Sequence, residues 1–173
     1  MMRAKKSDFL NYEIWILTFG GGLQRSGVYA DNISDANKTE FRNSVKDKIN
    51  TLVINKYTKS PVTSKEHINN LVNIKNWINS NHSHVLKNQN IKLGIVQKLL
   101  NLYLKYQWCL GLVKTPPHCP FDRIIISKMQ LSNPPAWTQL DSVDTYKMLV
   151  TKATELAGNK SISEWELDVF SRR

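Results

Sequence analysis

Two side chains in this 173-residue chain have the chemistry of a reacting pair, Lys98 and Asp122. Asp122 stands in Pro120-Phe121-Asp122-Arg123-Ile124, at the expected start of a helix. A carboxylate in that position is held rigid and its charge is favoured by the helix dipole. A fixed carboxylate can stabilise positive charge that develops on a reacting centre. Lys98 lies on the helical segment before it. A lysine removed from water beside other cations becomes a nucleophile. Each residue also has a plainer role, Asp122 as an N-cap and Lys98 as a surface lysine of an amphipathic helix.

Other chemistry finds less footing. His82, His84, His118 and Cys119 form an HxH pair and an HC pair, and neither has a standard zinc spacing, so no metal is expected. The chain has no G-x-S-x-G, no H-E-x-x-H and no Arg followed closely by His on one helix, which argues against the common hydrolase and ribonuclease motifs. The segment from Gly20 to Gly27, GGGLQRSG, is not followed by GK[ST] and is not a phosphate loop. Two cysteines, Cys109 and Cys119, are too few for a disulfide scaffold.

The elements that must position Lys98 and Asp122 follow from periodicity and punctuation. Residues 8–19 are apolar and fit a helix or a strand, and Gly20-Gly21-Gly22 is expected to stop them. Ser34 or Asp35 caps a helix to about Ile54, with Phe41, Val45, Ile49, Leu52 and Val53 on one face. Thr63 to Glu66 is a capping box that opens a helix with Ile68, Leu71, Val72 and Ile78 inward. The central helix runs from about Ile91 to Leu110 with Gly111 at its end. Lys98, Asn101 and Lys105 share one of its faces. Three prolines stiffen Thr115–Pro120, and short helices follow from Asp122, from Ser142 and from the capping box Ser161–Glu164. The expectation is an all-α protein, a compact bundle of about seven helices in a single domain over residues 1–173.

Charge narrows the partners. The chain carries a net +10. Residues 61–130 hold nine Lys/Arg against two acids, Glu66 and Asp122, whereas residues 131–173 hold five against six. A segment this basic calls for an anionic partner, with nucleic acid first among them. No apolar run is long enough to span a bilayer, and no long apolar stretch follows the basic N-terminus, so a cytoplasmic protein with no membrane contact is expected.

A family resemblance enters through the same stretch. Leu93-Gly94-Ile95-Val96-Gln97-Lys98 resembles the Leu-Pro-Gly-Val-Gly-x-Lys segment of the helix-hairpin-helix DNA glycosylases. Cys119-Pro120-Phe121-Asp122-Arg123 resembles their downstream Pro-Val-Asp-x-His segment. The hairpin proline is absent, Val96 replaces the second glycine, and no His follows Arg123. The likeness covers about 35 of 173 residues. It implies that Asp122 is the catalytic Asp, that Lys98 is a Schiff-base lysine, and that Gly94 approaches a DNA phosphate. The enzyme would flip a damaged or modified nucleotide from the duplex and cut its N-glycosidic bond, in base-excision repair or in defence against foreign DNA. No cofactor is implied. Lys92, Lys105, Lys114, Arg123 and Lys128 would contact DNA, with Lys75 and Lys87 as further candidates. Trp108, Tyr103, Trp137 and Phe121 would form the base pocket, with Trp15 also available. The expected partner is double-stranded DNA, bound by a monomer. Two alternatives remain open, a non-catalytic basic helical nucleic-acid-binding module and a protein whose basic face meets an acidic partner.

Overall fold

The central helix has no side left open to water. In a computed structural model, which describes residues 2–170, α4 (Leu93–Cys109) buries twelve of its seventeen residues. A helix that is buried all round belongs in the middle of a bundle, and the other helices pack around it. They are α1 (Met2–Gly22), α2 (Asp35–Lys56), α3 (Ser64–His82), α5 (Arg123–Lys128), α6 (Val143–Ala157) and α7 (Ile162–Val169). Two 3-10 turns, Ser83–Val85 and Lys87–Gln89, join α3 to α4. The described residues thus form an all-α bundle of seven helices. None of these helices is long and apolar enough to cross a membrane.

Local chemistry explains where the helices begin. Ser34 accepts a bond from the Asn37 N–H, and Ser142 from that of Thr145. Thr63 with Glu66, and Ser161 with Glu164, close reciprocal capping boxes. At the end of α4, Gly111 takes φ +71°, its N–H bonds to the Trp108 carbonyl, and the Leu112 N–H bonds to that of Gln107. This is a Schellman motif, and it needs the left-handed residue that glycine supplies.

One expectation fails. Gly20-Gly21-Gly22 does not stop the first element but forms the last turn of α1. Tertiary packing overrides helix propensity here. A Cβ on Gly22 would lie 2.5 Å from Leu99 Cδ2, and one on Gly21 would lie 2.7 Å from Leu102 Cδ2. The bare backbone lets α1 close onto α4. Further up the same face, the Trp15 ring stacks on Tyr103 with centroids 4.3 Å apart. The polar run from Asn79 to His82 forms the last turn of α3.

Candidate functional site

The segment between α4 and α5 passes through the core. His118, Cys119, Pro120 and Phe121 are all buried, so its backbone polar groups need partners within the protein. α4 supplies them from two side chains one turn apart. Gln97 Nε2 donates to the Phe121 carbonyl at 2.8 Å, and Gln97 Oε1 accepts from the Phe121 N–H at 3.1 Å. Asn101 Nδ2 donates to the Cys119 carbonyl at 2.9 Å. From α7, Ser163 Oγ donates to the Pro116 carbonyl at 2.8 Å. These bonds fix the register of residues 116–121 against α4 and deliver Asp122 beside Lys98.

Lys98 Nζ donates to Asp122 Oδ2 at 2.6 Å. The other carboxylate oxygen, Oδ1, accepts from the Ile125 N–H at 3.0 Å and caps α5. The Lys98 side chain is 8% exposed and that of Asp122 17%. The two residues singled out from sequence therefore meet, at the surface end of a largely buried ion pair. Lys98 also passes under α1, and its Cε would lie 3.8 Å from a Cβ on Gly21.

A second pair lies alongside. Lys105 Nζ is 2.8 Å from Glu166 Oε1 and 2.6 Å from Oε2, and it sits 4.2 Å from the Phe170 ring centre. Burial raises the Glu166 carboxyl above its ordinary range. Lys105, and beyond it Lys98, pull it down, while Asp122 pushes it up. Two ammonium groups and two carboxylates thus form one neutral cluster between α4, α5 and α7. The Cys119 thiol borders it, and burial, together with Glu166, holds its pKa well above the usual thiol value. Lys105 is consequently an internal counter-charge and not a free phosphate contact.

The start of α4 is also occupied. Asp141 Oδ1 accepts from the Leu93 N–H at 3.1 Å, and the Gly94 N–H donates to the Leu140 carbonyl at 2.8 Å. A Cβ on Gly94 would fall 1.8 Å from the Trp137 carbonyl oxygen. Gly94 is needed for close approach, as expected, but what approaches is the chain's own 137–140 segment and not a phosphate. A helix N-terminus attracts an anion, and Asp141 fills that position. The same carboxylate pairs with Lys75 at 2.6 Å and Lys92 at 3.3 Å, so Lys92 is only partly free. These contacts, Lys75 first and then the Leu93 N–H, outweigh its partial burial and lower its pKa.

Among the remaining expected DNA contacts, Lys114, Arg123 and Lys128 are exposed, and none makes a salt bridge among the described residues. The expected base pocket does not assemble. Phe121 is fully buried against Tyr146, with ring centres 5.6 Å apart. Tyr103 lies under Trp15. Trp108, on the last turn of α4, and Trp137, over Gly94, are half-buried. The expected pocket residues therefore include two core side chains with no free face for a base.

The histidines fall into two separate groups. His82 and His84 are neighbours at the end of α3, with ring centres 6.3 Å apart. His118 pairs instead with His67, near the start of α3, at 4.6 Å. Tyr146 lies 2.9 Å from His118 Nδ1, Ser64 lies 2.8 Å from its Nε2, and Tyr57 lies 2.8 Å from His67 Nδ1. Asn70 donates to the Tyr57 hydroxyl. Burial lowers its pKa to about 4 and that of His118 well below its ordinary value.

Sequence reasoning missed Gln97, Asp141 and Glu166. One signal for the two acids was present, since an acid-rich tail in the same domain as a basic middle section is its nearest source of counter-charge. Comparison with protein-family models, with curated proteins and with solved structures returns no match.

Proposed function

We propose that the protein is a DNA glycosylase-like enzyme in which Asp122 and Lys98 are the reacting pair. One observation carries this reading, the 2.6 Å contact between Lys98 Nζ and Asp122 Oδ2 across 24 residues of sequence. Departure of a base from its sugar leaves an oxocarbenium-like centre, and a carboxylate clamped by the Ile125 N–H meets that charge without reorganising. The same carboxylate lies within hydrogen-bond distance of the lysine proton. Transfer of that proton to Asp122 Oδ2 frees the Lys98 amine, which bonds to the sugar C1′ as the C1′–base bond breaks. The departing base takes the proton from Asp122, opening of the C1′–O4′ bond gives the Schiff base, and β-elimination from it breaks the bond to the 3′ phosphate. If water attacks instead, Asp122 orients it and the product is the abasic site alone. Arg123, next to Asp122, together with Lys114 and Lys128, supplies phosphate contacts, and binding weakens with added salt.

A second reading is favoured by a specific feature of the same pair. Asp122 already caps α5, and Lys98 is almost enclosed, so both side chains have structural work. On that reading the protein is a non-catalytic basic module that binds nucleic acid through its exposed cations.

The test uses duplexes carrying altered bases, assayed for abasic sites. The wild-type protein releases base, Asp122→Asn binds the duplex without releasing it, and borohydride traps a covalent adduct that Lys98→Met does not form. Binding with no base release from any duplex favours the module. Base release by Asp122→Asn at the wild-type rate overturns the assignment of the pair.

A further inference from the structure

A cleft lies away from the ion pairs, between α1 and α2. It encloses about 640 Å³, within the range of small-ligand sites. Neither Lys98 nor Asp122 lines it. One wall is aromatic, with Tyr12, Trp15 and Phe19 from α1 and Tyr29 from the loop that follows. The opposite wall is cationic, with Arg42 and Lys46 one helical turn apart on α2. No Asp or Glu lines the cleft, although the chain has fourteen acids.

The walls are built and not left over from packing. Tyr29 is held by a short antiparallel bridge to Leu86, in which the Ala30 N–H donates to the Val85 carbonyl at 3.0 Å and the Lys87 N–H to that of Val28 at 2.8 Å. Gly27 turns the loop at φ +60°. Trp15 is the floor, 3% exposed and stacked from beneath by Tyr103. Tyr12 is 60% exposed at the rim. Arg42 Nη2 donates to Thr39 Oγ1 at 3.1 Å. Neither Arg42 nor Lys46 forms a salt bridge among the described residues.

We propose that the cleft between α1 and α2 is a binding site for an unpaired nucleotide of a nucleic-acid strand, with the base against Tyr12, Phe19 and Tyr29 and the phosphate on Arg42 and Lys46. A ring system needs an apolar wall of ring surface, and stacking on aromatic side chains accepts any base. The adjoining phosphate needs cations with no competing carboxylate, and the opposite wall offers that. An apolar helix from a partner protein would fill the aromatic wall but would leave Arg42 and Lys46 without a counter-charge. The proposal rests on the nucleic-acid part of the reading above and not on chemistry at Lys98 and Asp122.

The experiment is fluorescence anisotropy of a labelled short oligothymidylate at two salt concentrations. The proteins are wild type, Tyr12→Ala, the double variant Arg42→Gln/Lys46→Gln, and Lys147→Gln on α6 as a control. Tyr12 is exposed at the rim, so its loss leaves the fold intact, and circular dichroism checks each variant. The expected result is about ten-fold weaker binding for Tyr12→Ala, and at least that for the double variant. The double variant also has a smaller salt slope, by roughly 0.7 for the one phosphate it no longer holds on a single strand. Lys147→Gln binds as wild type. Oligothymidylate affinity equal in wild type and both cleft variants overturns the cleft assignment while leaving the nucleic-acid reading in place. Failure of the wild type to bind either single strand or duplex overturns both. Cleft-dependent binding with no base release from any duplex supports the site and removes only the glycosylase chemistry.

Discussion

The Lys98–Asp122 pair makes a stability prediction that is independent of any substrate. Asp122→Asn keeps an acceptor for the Ile125 N–H, because Asn caps helices as well as Asp does, but it removes the counter-charge from a lysine whose side chain is 8% exposed. Breaking a buried pair from one side costs about 3–5 kcal/mol. The partial exposure of Asp122, 17%, puts the expected loss at the lower end, about 3 kcal/mol. Lys98→Met removes the other partner and keeps the apolar stem against α1. Its expected cost is smaller, about 1.5 kcal/mol, since the stranded carboxylate keeps its backbone donor and some water. The double variant has no stranded charge and should lose no more than Lys98→Met alone, about 1.5 kcal/mol. The two single losses sum to about 4.5, so the coupling is about 3 kcal/mol, at the upper end of the range for residues in direct contact.

The assay is equilibrium urea unfolding of the four proteins, followed by tryptophan fluorescence, with Trp15 and Trp165 as buried reporters. A coupling under about 0.5 kcal/mol is the range for independent sites and would refute the pair as described. The measurement also qualifies the activity test. A loss of about 3 kcal/mol leaves a domain of ordinary stability folded, so absence of base release by Asp122→Asn then reports chemistry and not unfolding.

Two further predictions follow from the core. His67 is buried with a pKa of about 4, below the ordinary value of about 6.5, so between these values the unfolded chain binds more protons than the folded one. Stability is therefore full above about pH 6.5 and falls as the pH drops toward 4, by about 3 kcal/mol for this group, with His118 adding in the same direction. A urea midpoint that stays constant from pH 7 to pH 4.5 would contradict it. Gly94→Ala should cost at least about 4 kcal/mol or prevent folding, because its Cβ meets the Trp137 backbone. Gly22→Ala meets the Leu99 side chain at Cδ2 and Cγ, with the Leu99 backbone only at van der Waals distance, and should cost about 1–3 kcal/mol, and equal melting temperatures for the two variants would refute the distinction.

Helix starts were legible because each carries its own chemistry within four residues, as at Thr63–Glu66 and Ser161–Glu164. The central position of α4 was legible from its apolar density. The glycine run was not, because the reason for it lies on another element, in Leu99 and Leu102. The same holds for the site. Asp122 was visible as an isolated acid in a basic segment, and Lys98 as a lysine on an apolar helix. Their meeting depends on Gln97 and Asn101, whose amides hold the backbone of residues 119–121. Nothing local to Gln97 distinguishes an amide that binds a distant backbone from one that faces water. The partners of Lys105 and Lys92 lie 61 and 49 residues away, beyond the reach of any periodicity.

Charge shows how the folded chain separates structure from surface. Of the nine cations between residues 61 and 130, four are tied internally, Lys75 and Lys92 to Asp141, Lys98 to Asp122, and Lys105 to Glu166. A net of +7 read along the sequence therefore overstates what that segment presents to a partner. The ions removed from water are paired, as they must be. The cations left over, Lys65, Lys87, Lys114, Arg123 and Lys128, are exposed. Arg42 and Lys46, outside the basic segment, also form no salt bridge among the described residues, and they line the aromatic cleft. An anion that binds through free charge is accordingly drawn to residues outside α4. The α4 lysines become available only if one of their ion pairs opens, and Lys98 is the one whose partner, Asp122, reaches the surface beside Arg123.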